Sequence, residues 1–311
     1  MPIILTKLIA GEELIYHTNF ELNQGYNIEY TLQGQENWQV EGSAGNGLLE
    51  GYFNDYGEFG NQAYVGAFVP ENTDEQFLIA WPKIQGLSNF DKKFRCTVIM
   101  MIVDSEDDNR DYFQWTIFNK KAKPLVTIDF DNNTKEINYI LGKDGQVFYT
   151  GFTFENNQLY ELDITVDLKY RLWSVSIGGE SIVNNGAINL PDQELSFGDF
   201  DAVWHFNTIG SPGNNFMVFD DYKIYADRST PKYSDFEIEK LYNAIKDNKI
   251  NLVKQFLNNG LSPNNRLGGW TLLTHAVFNN NIDVVNLLID LNVNVNLWNS
   301  KGKSPLALAC D

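Results

Sequence analysis

Leu241-Tyr242-Asn243-Ala244-Ile245 and Leu273-Thr274-His275-Ala276-Val277 repeat one short pattern 32 residues apart. The echo continues outward from that pair. Leu252-Val253 corresponds to Val284-Val285, Leu257 to Ile289, and Pro263-Asn264 to Val295-Asn296. A third copy opens at Ser304-Pro305-Leu306-Ala307-Leu308-Ala309, with Ala309 33 residues after Ala276. Each copy predicts a pair of short helices. The hydroxyls of Thr271 and Ser304 are suited to accept from the unpaired amides at a helix start. Pro305 then takes the first helical position, where a missing N–H costs nothing. Val284, Val285, Leu288 and Ile289 form one apolar face of a second helix. Gly260 and Asn292 follow the second helices, and Asn248 and Asn280 lie between the helices of a pair. All four are residues that tolerate a left-handed backbone.

A period near 33 with this content resembles the ankyrin repeat. The resemblance covers residues 234–311, with two complete copies and an incomplete third. It implies an all-α array that presents turn tips and an inner helical surface to a protein partner. The tips would carry Leu267, Gly268, Trp270, Trp298, Ser300, Lys301 and Lys303. The inner surface would carry Lys246, Asp247, Phe278 and Asn279. Trp270, Phe278 and Trp298 are of types enriched at binding hot spots. The competing reading packs them against a neighbouring repeat or the preceding domain. Leu272 and Thr274 depart from the family's usual Pro and His, and the first copy begins with Ser234-Asp235 as a polar cap. The third copy stops at Asp311 before a second helix. Stable stacks need about three repeats, so the array is expected either to continue past Asp311 or to lean on what precedes it.

Before residue 228 the period changes. Tyr160, Leu162, Ile164, Val166 and Leu168 alternate with Glu161, Asp163, Thr165, Asp167 and Lys169, which predicts a strand with one buried face. Trp173, Val175 and Ile177 repeat the pattern, and Gly178-Gly179 predicts a tight hairpin turn. Val126, Ile128 and Phe130 form another strand, which Asp131-Asn132-Asn133 turns into Ile137, Tyr139 and Leu141. Many short strands without a helix indicate an antiparallel sandwich. The run of landmarks is Asn19-Phe20, Trp38 to Gly42, Ile128 to Gly179 and Gly213 to Tyr222. It resembles the concanavalin A-like lectin/glucanase (laminin G-like) jelly roll over roughly residues 12–227. That resemblance implies a closing strand beside the first, and a superfamily of carbohydrate binders, glycosidases and scaffolds. The expected organisation is a sandwich over 1–227, a linker over 228–233 centred on Pro231, and the array over 234–311.

Composition narrows the functions. Residues 1–227 hold 34 acidic and 14 basic side chains, net −20, against 7 and 9, net +2, in residues 228–311. An acidic front domain repels phosphate backbones, so nucleic acid is disfavoured, while cationic partners or Ca²⁺ are attracted. Cys96 and Cys310 are far apart, and three histidines are scattered, so neither a disulfide framework nor a zinc site is expected. The longest apolar run, Cys96 to Val103, suits a buried strand and falls short of a membrane span. Without a leader-like N-terminus, a cytoplasmic protein is expected.

Candidate chemistry is sparse. Glu161-Leu162-Asp163 places two carboxyls on one face of a strand, the spacing that laminarinase-like glycosidases use. The third carboxylate of that motif is replaced by Thr165 and Val166, so an exposed polar face is the plainer reading. Asp220-Asp221 is a weak Ca²⁺ candidate. Asp104 to Asp108 lacks the glycine and spacing of a calcium loop. The sequence therefore favours a non-enzymatic adaptor that binds a protein partner. A lectin-like glycan binder is the alternative, and a divergent glycosidase a weaker one.

Overall fold

Period-two alternation becomes two stacked antiparallel sheets in the computed structural model, which describes residues 11–53, 60–71, 74–88, 91–106, 108–141, 145–191, 194–228 and 233–310. The central residues of the expected linker, 229–232, lie outside the described residues. In the first sheet the strands run β13 (Glu180–Ala187), β12 (Leu172–Ile177), β11 (Tyr160–Asp167), β6 (Lys93–Val103), β15 (Phe216–Asp227), β4 (Asn61–Gly66) and β3 (Asn46–Glu50). β1 (Glu12–Thr18) also pairs with β15. Across the core lie β10 (Gln146–Thr153), β9 (Glu136–Leu141), β8 (Pro124–Asp131), β7 (Tyr112–Phe118), β14 (Asp199–His205), β5 (Phe77–Pro82) and β2 (Trp38–Glu41). The first strand does lie beside the closing one, from Glu12 opposite Asp227 to Thr18 opposite Tyr222. Gly178 and Gly179 both take positive φ, 59° and 85°, as the tight β12–β13 hairpin requires.

Alternation decides which side chains meet between the sheets. Phe200, Ala202 and Trp204 of β14 point inward, as do Phe113, Trp115 and Ile117 of β7. They meet Phe219, Tyr222 and Ile224 of β15 and Leu162, Ile164 and Val166 of β11. Trp115 sits at the centre, with its ring 4.8 Å from Phe200 and 5.1 Å from Phe219. Edge-to-face and tilted ring pairs of this kind add to the area they bury. The run from Cys96 to Val103 falls within β6, the most interior strand, which pairs with both β11 and β15.

After β15 the helical period takes over. α1 (Asp235–Lys246) starts on a capping box in which Ser234 and Glu237 bond each other's backbone amides. α2 (Ile250–Asn258) returns antiparallel, and a two-residue hairpin, β16 (Arg266–Leu267) and β17 (Trp270–Thr271), leads to α3 (Leu272–Phe278). Thr271 caps α3 through Thr274 N, and Ser304 caps α5 (Pro305–Ala309) through Ala307 N. α4 (Ile282–Asp290) completes the second pair. Asn248, Asn280 and Asn292 adopt φ of 54°, 56° and 53°, and Gly260 86°, the left-handed turns read from the sequence. Leu241, Ile245, Val253, Leu272, Leu273, Ala276, Val284 and Leu288 form a separate small core.

Candidate functional site

The array offers a surface because its helices stack in two layers. α3 packs against both α1 and α5, and α2 lies against α4. The inner layer thus keeps one face toward solvent. Phe278, at the end of α3, is 62% exposed, although its ring approaches Trp270 at 5.2 Å. Trp298 is 41% exposed at the next tip. Lys246, Asp247, Gly268, Ser300 and Lys301 are also exposed, and Lys249 pairs with Asp247 at 2.8 Å. Leu267 and Trp270 are half-buried and pack on the array's own core. Lys303 is half-buried as well. Asn279 donates to the carbonyl of His275 at 2.7 Å. Most of the sequence-read positions are therefore exposed, and Leu267 and Trp270 are drawn partly inward.

The sandwich touches the array along the loops that follow α2 and α4, the backbone of Trp298 included. Asn189 Nδ2 donates to the carbonyl of Asn296 at 3.1 Å, and its Oδ1 accepts from Trp298 N at 3.2 Å. Asn294 Nδ2 donates to the carbonyl of Asn185 at 2.5 Å. Asn265 Nδ2 reaches Tyr170 Oη at 3.4 Å. This support leaves the inner helical surface uncovered by the sandwich.

Glu161 and Asp163 do share the outer face of β11, since Leu162 and Ile164 are in the core. Asp163 is committed there: Arg95 Nη1 lies 3.2 Å from its Oδ2, and the same guanidinium holds Glu12 at 2.7 Å and stacks over Tyr225 at 4.5 Å. A cross-strand ion pair tied to the first strand explains this carboxylate without chemistry. Burial raises the pKa of Glu161, and the charges of Asp163 and Asp221 add to the rise. Asp220 and Asp221 sit in a β-bulge of β15, where Asp221 takes φ 49°. Asp221 is bonded by His17 at 3.0 Å and Lys223 at 2.5 Å, which hold its carboxyl below the usual range against the push of burial. Asp220 is buried, 1% exposed. Burial, with the charge of Asp221, raises it to about 8, and its Oδ1 accepts from Asp221 N at 2.6 Å. Among the described residues, no group of three or more His, Cys, Asp or Glu is arranged to hold a metal ion. Asp104 is bound by Arg110 at 2.9 Å, which fits an ordinary loop.

The sequence reading passed over the outer face of the second sheet. Tyr149, Asn138, Asp129, Gln114, Val203 and Ile79 stand opposite one another in turn across β10, β9, β8, β7, β14 and β5. Thr127, Thr116 and Asp201 form part of the adjacent row, where the two threonine hydroxyls bond at 2.9 Å. Asp129 accepts from Gln114 Nε2 at 2.9 Å. Burial raises Asp129 and Asp199 to about 6, and it raises Asp201 well above the usual carboxylate range, with the neighbouring charge of Asp199 adding to the rise. Such a face can hold a proton or hydrogen-bond a hydroxyl-rich ligand. Asp199-Phe200-Asp201 was the available signal, but alternating Asp reads first as a wet face.

Comparison with known proteins bears on the two regions unequally. No curated protein matches the chain. Among solved structures, similarity is limited to the overall fold. A sialidase is 9% identical, with 67% of this chain covered and a TM-score of 0.40, and this chain spans 19% of that protein. The carbohydrate esterase vb_24B_21 from Shiga toxin-encoding bacteriophage phi24B is 11% identical over 64% of this chain and 94% of its own, with a TM-score of 0.46. Cellulose induced protein Cip1 is 10% identical over 70% and 100%, with a TM-score of 0.45. Likeness at these scores says nothing of ligand or activity. The tail is different in kind: residues 241–311 match the family model for ankyrin repeats (three copies), so this part of the chain is an ankyrin-repeat array.

Proposed function

We propose that this protein is a non-enzymatic adaptor whose array binds a protein partner, with the sandwich as scaffold or second binding module. In this reading the binding residues are Lys246, Asp247, Leu267, Trp270, Phe278, Asn279, Trp298, Ser300, Lys301 and Lys303. The domains are 1–227 and 234–311, and the protein works in the cytoplasm. One observation carries the reading: Phe278, at the end of α3, is 62% exposed, and Trp298 is 41% exposed although the sandwich holds its backbone N–H through Asn189. An aromatic on a surface that repeats present to partners is the usual anchor of an interface. The test is cross-linking and capture from the source cell with the full chain and with Phe278→Ser/Trp298→Ser. Specific partners lost from the variant support the proposal; an identical partner set in both removes it.

A second reading rests on the outer face of the second sheet. There the buried carboxyls of Asp129 and Asp201 lie among threonine hydroxyls and amides, with Tyr149 exposed at the edge. Together with the kinship to concanavalin A-like sandwiches that we infer for residues 12–227, this face suits a glycan. Glycan-array binding that Gln114→Ala abolishes would support it, and no binding to any glycan would remove it.

A further inference from the structure

The seam between the two domains holds an open cleft of about 530 Å³. Its sandwich wall presents Thr165, Asp167 and Asn185, and its array wall presents Pro263, Asn264 and Asn292. The walls are held at a fixed spacing. On one side the Asn185 carbonyl is bonded by Asn294, and on the other Tyr170 is bonded by Asn265. Asn264 stiffens the array wall by accepting from Asn294 N at 2.9 Å. Asn185 and Asn292 both hold a left-handed backbone, with φ of 53°. The cleft is therefore shaped before anything enters it.

Its chemistry is that of the peptide group. A carboxamide carries donor and acceptor side by side, the complement of a main-chain N–H and C=O. Two exposed carboxamides, Asn185 on the sandwich wall and Asn292 on the array wall, face the cleft, so a chain lying between them meets a partner on each side; the Asn264 carboxamide is buried and its oxygen is taken by Asn294 N. Charge is balanced: Lys93 stands at the rim, 3.8 Å from Asp227, and Asp167 bonds Tyr170 N at 2.8 Å. A sugar would want an open ring to stack on, but Trp173 is 1% exposed and Tyr170 is half-buried. Leu172, Pro263 and Leu291 offer apolar surface for side chains between the polar contacts.

We propose that this cleft takes an extended, uncharged segment of a partner polypeptide and reads it through its main-chain amides. This rests on the adaptor reading and adds a second point of grip, one that Phe278 does not line. The experiment selects random peptides displayed on phage against the immobilised full chain, then titrates the enriched peptides by fluorescence anisotropy. The cleft variant is Asn185→Gly/Asn292→Gly. Glycine keeps the left-handed backbone at both sites, and the Asn185 carbonyl stays for Asn294, so the fold is retained; a thermal melt checks this. The expected result is affinity weakened by about tenfold or more in the cleft variant and changed by less than about twofold in Phe278→Ser. The cleft proposal is overturned if no peptide is enriched, or if enriched peptides bind the cleft variant undiminished. It is also overturned if maltotriose or N-acetylglucosamine, rather than peptide, binds the cleft. Peptides that depend on Phe278 alone would sink the cleft and leave the adaptor standing. Partner capture that survives Phe278→Ser/Trp298→Ser would sink the adaptor whatever the peptides do.

Discussion

The sandwich buries most of its tryptophans between its sheets, and the array does not. Trp38, Trp115, Trp173 and Trp204 are at most 1% exposed, locked among Phe and Tyr rings between the sheets. The array's Trp270 and Trp298 are half-buried and exposed, and its Phe278 stands mostly in water. The two cores differ likewise: the sandwich core joins strands distant in sequence, whereas the array core joins neighbours within a few tens of residues. A large core can spend its rings on stability. A repeat array obtains stability from neighbour-to-neighbour stacking and can leave rings free for a partner.

The sharpest way to break this contrast is at the centre of the sandwich. Trp115→Ala removes a ring packed against Phe200, Phe219 and Tyr222. The expected loss is about 3–5 kcal/mol in urea unfolding. A loss below about 1 kcal/mol would mean that these rings are not the core the contrast requires.

A smaller effect of opposite sign is expected at Asp201. Its carboxyl is 4% exposed, and burial with the nearby Asp199 charge raises its pKa in the folded state. The folded chain then holds a proton that the unfolded chain releases above about pH 4. Stability from that proton is complete below the unfolded pKa and declines as pH rises toward the folded one. Asp199 and Asp129, raised to about 6, behave in the same sense between about pH 4 and 6. Asp201→Asn should therefore stabilise the protein at pH 7 and flatten the fall of Tm with pH. Destabilisation at pH 7 with an unchanged pH profile would show that the ionised carboxylate is held by the fold.

Thr271→Ala removes the hydroxyl that accepts from Thr274 N at 2.9 Å. The expected cost is about 1 kcal/mol, confined to the array and read by hydrogen exchange at α3. Phe278→Ser should change stability least, by about 0.5 kcal/mol or less in thermal melts, while partner capture is lost. A large drop in Tm would mean that Phe278 belongs to the core, and the contrast between the two regions would fail there.

Much of the array was legible because its determinants are local. Each cap lies next to the helix it starts, as Thr271 and Ser304 do, and each left-handed Asn follows the helix it ends. Strands such as β11 and β12, with their Gly-Gly turn, were legible for the same reason. Glu161 and Asp163 were placed on the correct shared face, but their surroundings were not legible. Arg95, which engages Asp163, lies 68 residues earlier, and Glu12 lies 83 residues before Arg95. The carboxyl face of the second sheet was hidden too. Thr116 meets Asp201 only because β7 and β14 pair across a separation no local period encodes.

Sequence alone determined the kinds of structure and their order: alternating strands, then capped helix pairs with a 33-residue repeat, since period, cap and turn act over a few bonds. Tertiary structure decided the sheet order, the partner of each charge, which side of the array faces water, and the cleft between the domains. Those depend on contacts between residues far apart in sequence, from 68 positions for Arg95 and Asp163 to 109 for Asn185 and Asn294, and chain packing brings them together.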